Sequence, residues 1–326
     1  MASLALAPGA VFADRFEISE LVGSGGMGTV YRACDRHTGG LVALKLLSGV
    51  GAPNEAERFL REGRLLSEVK HRGVVGYVAH GQDTSGALYL AMEWLVGRDL
   101  AKRLQQGYLS VSESLMLLSC IAEALVAPHQ LSIVHRDIKP SNIFLRGDRL
   151  TDAVLLDFGI ARRRSGSHAV TGTGALIGTP DYMSPEQARG ARDLSPATDI
   201  FSLGCVMYEC LTGKPPFHGD HLAAVLVKVL FEQPQSLAEL RATIPGAVSE
   251  LLSAMLEKDP LKRPADAMEL LCRLQAIQLS ESEALAPTIQ LSQSTSRFGE
   301  DEQGLVSMVV ATPPQAPVDV AAIPKW

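Results

Sequence analysis

Hydrophobic and polar positions alternate in short runs over residues 15–95, in the pattern typical of β-strands. The runs are rich in β-branched and aromatic residues, and Gly-rich or polar turns separate them. Strands are predicted over residues 15–22, 29–35, 41–47, 74–81 and 87–95. Because short turns join the first three runs, we expect those strands to be antiparallel.

Other parts of the chain show a helical pattern. Residues 54–70 predict one amphipathic helix, and Asn54 stands where an N-cap is expected. Three apolar residues of this segment recur at near-helical spacing: Phe59, Leu66 and Val69. Longer helical segments follow at residues 112–128 and 197–211. The sequence therefore predicts a strand-rich first part with one helix, followed by a helix-rich second part.

The composition changes near the C-terminus of the sequence. After about residue 279 it shifts to Ser, Gln, Ala and Pro with few aromatic residues, which predicts a disordered tail or linker over residues 280–326. This stretch holds six acidic and two basic residues, so it supplies about −4 of the net charge of −6. At the other end, residues 1–15 are predicted to be an N-terminal extension.

Composition and charge narrow the class of protein. The 326 residues are 46% hydrophobic and 20% charged, as in an ordinary globular protein with one large or two medium domains. The one dense basic cluster, at residues 162–164, is too short to form the basic face that nucleic acid or an anionic membrane requires. We therefore expect neither as a partner.

Cysteine usage and hydropathy indicate a compartment. The five cysteines are scattered and form no C-x-x-C pair, which disfavours a disulfide framework or a zinc site and indicates reduced thiols. The first residues lack the basic stretch of a signal peptide, and no apolar stretch reaches the roughly 18 residues that a membrane span needs. We expect a cytoplasmic location and no membrane span.

A glycine-rich segment lies between the first two predicted strands. Gly23, Gly25 and Gly28 form the pattern G-x-G-x-x-G, and Val30 follows two residues later. Glycines let a backbone lie close to phosphates, but they also occur in ordinary hairpin turns, so the motif alone leaves both interpretations open. Because another strand follows instead of a helix, the context favours a phosphate-binding hairpin over a dinucleotide-binding turn.

Lys45 lies in the third predicted strand among apolar residues. A lysine in such a strand is commonly an edge residue whose amine reaches solvent. The following helix offers Glu62 on the face that carries Phe59 and Leu66, and an ion pair between Lys45 and Glu62 would hold the amine near phosphate oxygens. The alternative for Glu62 is a solvated helix charge.

Two segments in the second half carry the most specific motifs. Residues 135–142 contain His135, Arg136, Asp137 and Asn142 in the pattern H-R-D-x-x-x-x-N, and residues 157–159 read D-F-G. Together with the glycine-rich segment and the strand lysine, these residues resemble the protein kinase family over about residues 16–274. The match is closest to bacterial serine/threonine kinases of the eukaryotic-like type.

The resemblance implies an α+β, two-lobed protein kinase fold. A small antiparallel-sheet N-lobe with one main helix would span residues 16–95, and a mainly helical C-lobe would span residues 96–274. ATP would lie in the cleft between the lobes. Its expected contacts are Val22, Gly23, Ser24, Gly25, Gly26, Met27, Gly28, Val30, Ala43, Lys45, Met92, Glu93, Leu95 and Phe144.

The resemblance also implies roles in catalysis. Asp137 would orient the attacking hydroxyl and accept its proton, while Lys139 would neutralise charge on the transferred phosphoryl group. Asn142 and Asp157 would hold Mg²⁺, with Mn²⁺ as an alternative ion. Lys45 and Glu62 complete the expected catalytic set. Lys139 within "DIKPSN" is typical of serine/threonine kinases.

The segment after the D-F-G motif resembles an activation segment that ends in "GTPDYMSPEQ". We expect Thr171 and Thr173 to be autophosphorylated and to pair with Arg136; the alternative is a solvated loop whose hydroxyls do nothing. Glu186 is expected to pair with Arg263. By the same resemblance, Asp199 should fix the backbone of the catalytic loop.

Three positions depart from the family pattern without removing a catalytic group. Ser184 replaces the usual Ala of A-P-E, Phe144 replaces a smaller aliphatic residue under the adenine, and Gly63 lowers the helix propensity beside Glu62 by up to about 1 kcal/mol. The predicted function is a serine/threonine protein kinase that uses ATP to phosphorylate proteins. The alternatives are a pseudokinase that acts as a binding module and a small-molecule phosphotransferase.

Overall fold

A six-stranded antiparallel sheet forms the N-terminal part of the chain. It belongs to a computed structural model that describes residues 6–25, 28–47, 53–158, 180–191, 193–241 and 243–285. The order of the strands in the sheet is β1-β2-β3-β4-β6-β5. The strands are β1 (Val11–Phe12), β2 (Phe16–Gly25), β3 (Gly28–Asp35), β4 (Leu41–Leu47), β5 (Tyr77–Gln82) and β6 (Leu88–Glu93). The five predicted strands are therefore confirmed, and the first three are antiparallel as expected.

Strand register separates the residues of the sheet into two faces. Paired residues share a face, and Tyr31 pairs with Leu44, which in turn pairs with Ala91. These three side chains are buried in one apolar cluster. The opposite face carries Val30 paired with Lys45 and Ala43 paired with Met92. Four of the residues expected at the nucleotide thus lie on one face of the sheet.

Helix α1 (Pro53–Glu68) packs on the face that carries Lys45. Phe59 and Leu66 are buried as their spacing predicted, and Val69 is buried directly after the helix. The helix begins at Pro53, so the prediction of Asn54 as the N-cap was wrong. Proline is favoured in a first helical turn because it has no N–H to leave unpaired there.

Residues before the predicted N-lobe also take part in the sheet. β1 pairs with β2, and Ile18 exchanges backbone hydrogen bonds with Gly9 and Ala10. Phe12 is buried and meets the ring of Tyr89 edge to face at a centroid distance of 5.4 Å. This part of the expected extension therefore contributes to the apolar core of the sheet.

The second part of the chain is mainly helical, as predicted. Its helices are α2 (Leu100–Leu104), α3 (Val111–Gln130), α4 (Pro185–Ala188), α5 (Ala197–Thr212), α6 (Leu222–Phe231), α7 (Leu237–Leu240), α8 (Gly246–Met255) and α9 (Ala267–Leu285). The predicted segments 112–128 and 197–211 correspond to α3 and α5, which form the centre of the large apolar core. Ser110 begins α3 with a capping box in which Glu113 is the reciprocal partner.

One described helix, α3, is long and apolar enough by composition to span a membrane. Half of the apolar stretch of this helix is buried inside the fold, where Leu118, Ile121 and Leu125 pack in the core. The buried core helix of a globular domain meets the same length and composition criteria. Its hydropathy is therefore accounted for by packing.

A small sheet of β7 (Gly97–Asp99), β8 (Ile143–Arg146) and β9 (Ala153–Leu155) lies between the two parts. One face of this sheet is formed by Ile143 and Leu145, which are buried in the helical core. On the opposite face Phe144 pairs with Val154, and Val154 packs with Met92 of the six-stranded sheet. The small sheet thus joins the two cores and positions Phe144 toward the region between them.

Candidate active site

Buried Asp199 holds the backbone of residues 135 and 136. One carboxylate oxygen accepts hydrogen bonds from His135 N at 2.7 Å and from His129 Nε2 at 3.0 Å, and the other accepts from Arg136 N at 2.8 Å. Arg136 has a positive φ of 68°, a conformation that side chains adopt only when their surroundings enforce it. The predicted role of Asp199 is therefore confirmed.

Asp137 lies beside two polar side chains from the turn that follows it. Lys139 Nζ is 3.1 Å from Asp137 Oδ2. Asn142 Nδ2 donates to the same oxygen at 3.0 Å and to the Asp137 carbonyl at 2.7 Å. Asp137 itself is buried, with 7% of its surface exposed. Three of the predicted site residues therefore form one cluster.

His135 connects this cluster to the D-F-G segment. Its Nε2 donates to the Leu156 carbonyl at 2.7 Å, while its Nδ1 accepts from Asp137 N at 3.3 Å. Full burial lowers the pKa of His135, which favours the neutral ring that this pair of hydrogen bonds requires. The ring also contacts Phe158 at a centroid distance of 4.6 Å. The positions of the two motifs are thus coupled through one histidine.

Lys45 and Asp157 meet although 112 residues separate them in sequence. Lys45 Nζ donates to Asp157 Oδ2 at 2.7 Å, and only 8% of the Lys45 surface is exposed. The interpretation of Lys45 as a solvent-reaching edge lysine is therefore wrong. Asp157 has a positive φ of 48°, so the surrounding fold holds its backbone in a strained conformation.

The expected partner of Lys45 on α1 is Glu62. Its backbone belongs to the helix, but its side chain lies outside the described residues. The Lys45–Glu62 ion pair therefore stays a prediction. What the structure describes is that α1 packs against the sheet face on which Lys45 lies.

The glycine-rich segment is the tip of the β2–β3 hairpin. Gly23 pairs with Val30, and Gly25 pairs with Gly28. Gly28 has a φ of 143°, and a Cβ atom there would lie 2.1 Å from the Leu46 carbonyl oxygen. A side chain at this position is therefore excluded by both backbone conformation and contact. The Ser24 and Thr29 hydroxyls are 3.2 Å apart across the hairpin, while Gly26 and Met27 lie outside the described residues.

The residues expected to contact adenine lie in the six-stranded sheet, in the small sheet and in the connection between the lobes. Val22 is exposed on the hairpin, and Met92 is buried at the end of β6. The Glu93 carboxylate accepts hydrogen bonds from Gly76 N at 2.8 Å and from Arg146 at 2.9 Å. The expected adenine residues Val30, Ala43, Leu95 and Phe144 are all half-buried.

The end of the predicted activation segment is firmly attached to the helical core. The Glu186 carboxylate and the Arg263 guanidinium form two hydrogen bonds of 2.8 and 2.9 Å, which confirms the predicted pair. Ser184 caps α4 reciprocally with Gln187, which explains why a serine suits the usual alanine position. Residues 159–179, with Gly159, Thr171 and Thr173, lie outside the described residues, as does Thr179, which the family resemblance leads us to expect beside Asp137 and Lys139.

The donor set near Asp137 fits a hard divalent cation. Asp157 supplies carboxylate oxygens, and Asn142 can offer Oδ1 because its Nδ2 donates to Asp137. One carboxylate and one amide make a small protein ligand set, which suits Mg²⁺ because this ion usually takes further ligands from phosphates and water. The residues present therefore fit the implied metal.

Several supporting residues were missed from the sequence. Gln187 Nε2 donates to the Arg136 carbonyl at 2.8 Å, and the Tyr182 hydroxyl donates to Glu209 at 2.5 Å. His129 Nδ1 accepts from Ala267 N at 3.1 Å and thereby connects Asp199 to the start of α9. The apolar pattern around His129 marks it as a buried histidine, but nothing local indicates its partners.

The family model described as a protein kinase domain matches residues 16–274. The chain is 38% identical to a probable serine/threonine-protein kinase, PknB, of Corynebacterium glutamicum over 80% of this chain and 42% of that protein. It is 32% identical to the serine/threonine-protein kinase pkn3 of Myxococcus xanthus over 98% of this chain and 59% of that protein. For the serine/threonine-protein kinase PknA of Mycobacterium tuberculosis, the identity is 36% over 78% of this chain and 59% of that protein.

The chain thus spans from 42% to 59% of the length of these relatives. Among solved structures, the crystal structure of Rad53 1-466 in complex with AMP-PNP is similar, with a TM-score of 0.65 and 27% sequence identity. That similarity covers 79% of this chain and 64% of the other.

Proposed function

The chain belongs to the protein kinase family, and on this basis we propose that it transfers the γ-phosphoryl group of ATP to serine or threonine hydroxyls of proteins. The two-lobed kinase fold is confirmed, and members of this family use ATP and a divalent metal ion. The main support for the activity is the cluster of Asp137, Lys139 and Asn142, which His135 connects to the Lys45–Asp157 pair.

The arrangement supports a division of roles among the chain's own residues. Asp137 orients the attacking hydroxyl and accepts its proton, which is supported by the hydrogen bond that Asn142 Nδ2 donates to its carboxylate. Lys139 neutralises charge on the transferred group, which is supported by the 3.1 Å distance between its Nζ and Asp137 Oδ2. Lys45 contacts the α- and β-phosphates, and Glu62 orients its amine.

We assign the metal to Asn142 and Asp157. Mg²⁺ is the proposed ion, and Mn²⁺ meets the same requirement for oxygen ligands. When bound, the cation neutralises charge on the phosphate oxygens.

The nucleotide is proposed to lie between the hairpin and the small sheet. The hairpin residues Val22, Gly23, Ser24, Gly25, Gly26, Met27 and Gly28 cover the phosphates. Val30 and Ala43 pack above the adenine and Phe144 below it. Two observations support this: Val30 and Ala43 share one face of the six-stranded sheet, and Val154, the strand partner of Phe144, packs with Met92 of that sheet. The backbone from Met92 through Glu93 to Leu95 binds the adenine edge.

Autophosphorylation of Thr171 and Thr173 is part of the proposal. A phosphate brings a charge of about −2 at neutral pH, and an arginine is suited to pair with it. Arg136 precedes Asp137 and is the proposed partner. Phosphopeptide mapping after incubation with ATP should detect both sites, and the double change Thr171→Ala with Thr173→Ala should slow phosphorylation of an added acceptor. An unmodified segment, or an undiminished rate, contradicts this part while leaving the kinase assignment intact.

The proposed domain arrangement has an N-terminal extension at residues 1–15, lobes at 16–95 and 96–274, and a tail at 280–326. The proposed activity requires protein substrates. We also propose a cytoplasmic location, because the cytoplasm supplies ATP.

The test compares the chain with the Asp137→Asn variant after incubation with ATP and Mg²⁺. Mass spectrometry should find phosphate on the wild-type chain and on an added protein acceptor, with at least a hundredfold less for the variant because the proton acceptor is lost. Asp220→Asn, at an exposed position, serves as the matched control and should leave the rate unchanged. Equal rates for Asp137→Asn and wild type contradict the proposed function.

A further inference from the structure

His80 joins strand β5 to helix α1 by a hydrogen bond. Its Nε2 lies 3.0 Å from the carbonyl oxygen of Leu60 in the helix. On the other side of the ring, Nδ1 lies 2.5 Å from the Tyr77 hydroxyl. The ring also meets Phe59 of α1 edge to face at a centroid distance of 6.1 Å. The helix that carries Glu62 is thus connected to the sheet through one imidazole.

An irregularity in β5 brings Tyr77 and His80 together. In a regular strand, residues three apart point to opposite faces of the sheet. Tyr77 pairs with Met92 but Ala79 pairs with Ala91, so Val78 is an extra residue that shifts the register. Such a bulge re-aims the side chains that follow it. The bulge therefore places Tyr77 and His80 on the face that α1 covers.

The hydrogen bonds fix the tautomer of the neutral His80 ring. Because a carbonyl oxygen only accepts, Nε2 must donate to Leu60, and in the neutral ring Nδ1 then accepts from the Tyr77 hydroxyl. Burial lowers the pKa of His80, and the nearby charge of Arg64 on α1 acts in the same direction. The lowered pKa therefore favours the neutral ring, in which Nε2 carries the proton.

Gly63 follows Glu62 and makes room for the histidine ring. A Cβ atom at Gly63 would lie 2.7 Å from both Cγ and Cδ2 of His80. Glycine in a helix interior lowers helix propensity relative to alanine, so its presence here calls for a packing reason. The close approach of the ring to the helix supplies that reason.

The position of α1 matters for Lys45 and Asp157. Lys45 Nζ donates to Asp157 at 2.7 Å, so the lysine engages the carboxylate that is proposed to hold the metal. A second carboxylate, supplied by Glu62, would compete for the ammonium and leave Asp157 available to the metal. The distance of α1 from the sheet therefore controls whether the Lys45 ammonium pairs with Asp157 or with Glu62.

We propose that His80 is a positioning residue for phosphoryl transfer, which holds α1 against β5 so that Glu62 reaches Lys45. Gly63 is the complementary position on the helix. The inference rests on the proposed kinase function, and it concerns residues that touch neither substrate nor metal.

The test is a double-mutant cycle of Gly63→Ala, His80→Ala and the combined variant. Phosphorylation of a protein acceptor is measured in a single turnover at saturating ATP, together with the Mg²⁺ concentration that gives half the maximal rate. We expect each single variant to be at least tenfold slower and to need more Mg²⁺. The double variant should be no slower than His80→Ala, because removing the ring removes the clash. His80→Gln should keep the rate within about threefold, since its amide can donate to Leu60.

Folding is separated from positioning by two controls. Circular dichroism is recorded for each variant, and His37→Ala replaces an exposed histidine of the same lobe. A general loss of folded protein lowers the rate without changing the Mg²⁺ requirement. The proposal is overturned if Gly63→Ala matches wild type, if the two effects multiply, or if the Mg²⁺ requirement stays constant. A wild-type chain without activity instead overturns the proposed function, and this inference with it.

Discussion

Replacing Arg263 by methionine should destabilise the helical lobe strongly. Only 3% of the Arg263 surface is exposed, and its guanidinium donates two hydrogen bonds to Glu186. It also donates to three backbone carbonyls, those of Ala197, Glu257 and Lys258. Methionine keeps much of the apolar stem but none of these donors, so the change isolates the polar contribution.

The expected loss follows from what the substitution leaves behind. Removing one partner of a buried ion pair costs about 3–5 kcal/mol, because the remaining charge stays desolvated. Glu186 would retain the Thr198 hydroxyl at 2.8 Å as a donor, but three carbonyls would lose theirs. We therefore expect about 4 kcal/mol at pH 7, roughly a thousandfold in the unfolding equilibrium.

The loss should depend on pH. Burial alone raises the pKa of Glu186, but the hydrogen bonds and charge of Arg263 outweigh it and hold this pKa below the usual value. In the wild type, the stability that this carboxylate contributes is present above its unfolded-state pKa and is lost as pH falls through the folded pKa. Without Arg263 the pKa of Glu186 should rise, so the difference between the two proteins should shrink toward pH 4.

Urea unfolding followed by circular dichroism at pH 7 and pH 4.5 measures both effects. Arg273→Met is the matched control, because Arg273 forms a pair with Glu269 in which both side chains are 41% exposed. Exposed pairs contribute about 0–1 kcal/mol, so the control should stay within that range. A loss below 1 kcal/mol for Arg263→Met, or the same loss at both pH values, refutes the reasoning.

Two further substitutions test the nucleotide side of the cleft. Lys45→Met should lower the rate of single-turnover phosphorylation at least a hundredfold without unfolding the chain. The control Lys102→Met replaces an exposed lysine and should leave the rate unchanged. A retained rate for Lys45→Met contradicts the assigned role of Lys45. Gly28→Ala should lower the melting temperature and raise the KM for ATP, because its Cβ would meet the Leu46 carbonyl at 2.1 Å. Gly246→Ala has open space around the new Cβ and should leave the melting temperature unchanged or higher; equal melting temperatures for all three proteins contradict the predicted clash.

Two features of α1 could not be explained from the sequence alone. The low helix propensity of Gly63 was visible in the sequence, but its reason, the approach of His80, depends on the bulge in β5. Asn54 had the right chemistry for an N-cap, yet the helix begins one residue earlier at Pro53. Such boundaries depend on tertiary packing, which local propensity does not describe.

The sequence by itself determined the kinase family, the order of strands and helices, and the residues of the catalytic motifs. These features are local, because side-chain periodicity follows backbone geometry and the chemistry of phosphoryl transfer requires particular groups at short spacings. The tertiary structure decided which distant groups meet, such as Lys45 with Asp157 and His80 with Leu60. Contacts of this kind depend on how whole elements pack, and their distances are therefore fixed only when the sheet, α1 and the catalytic loop come together.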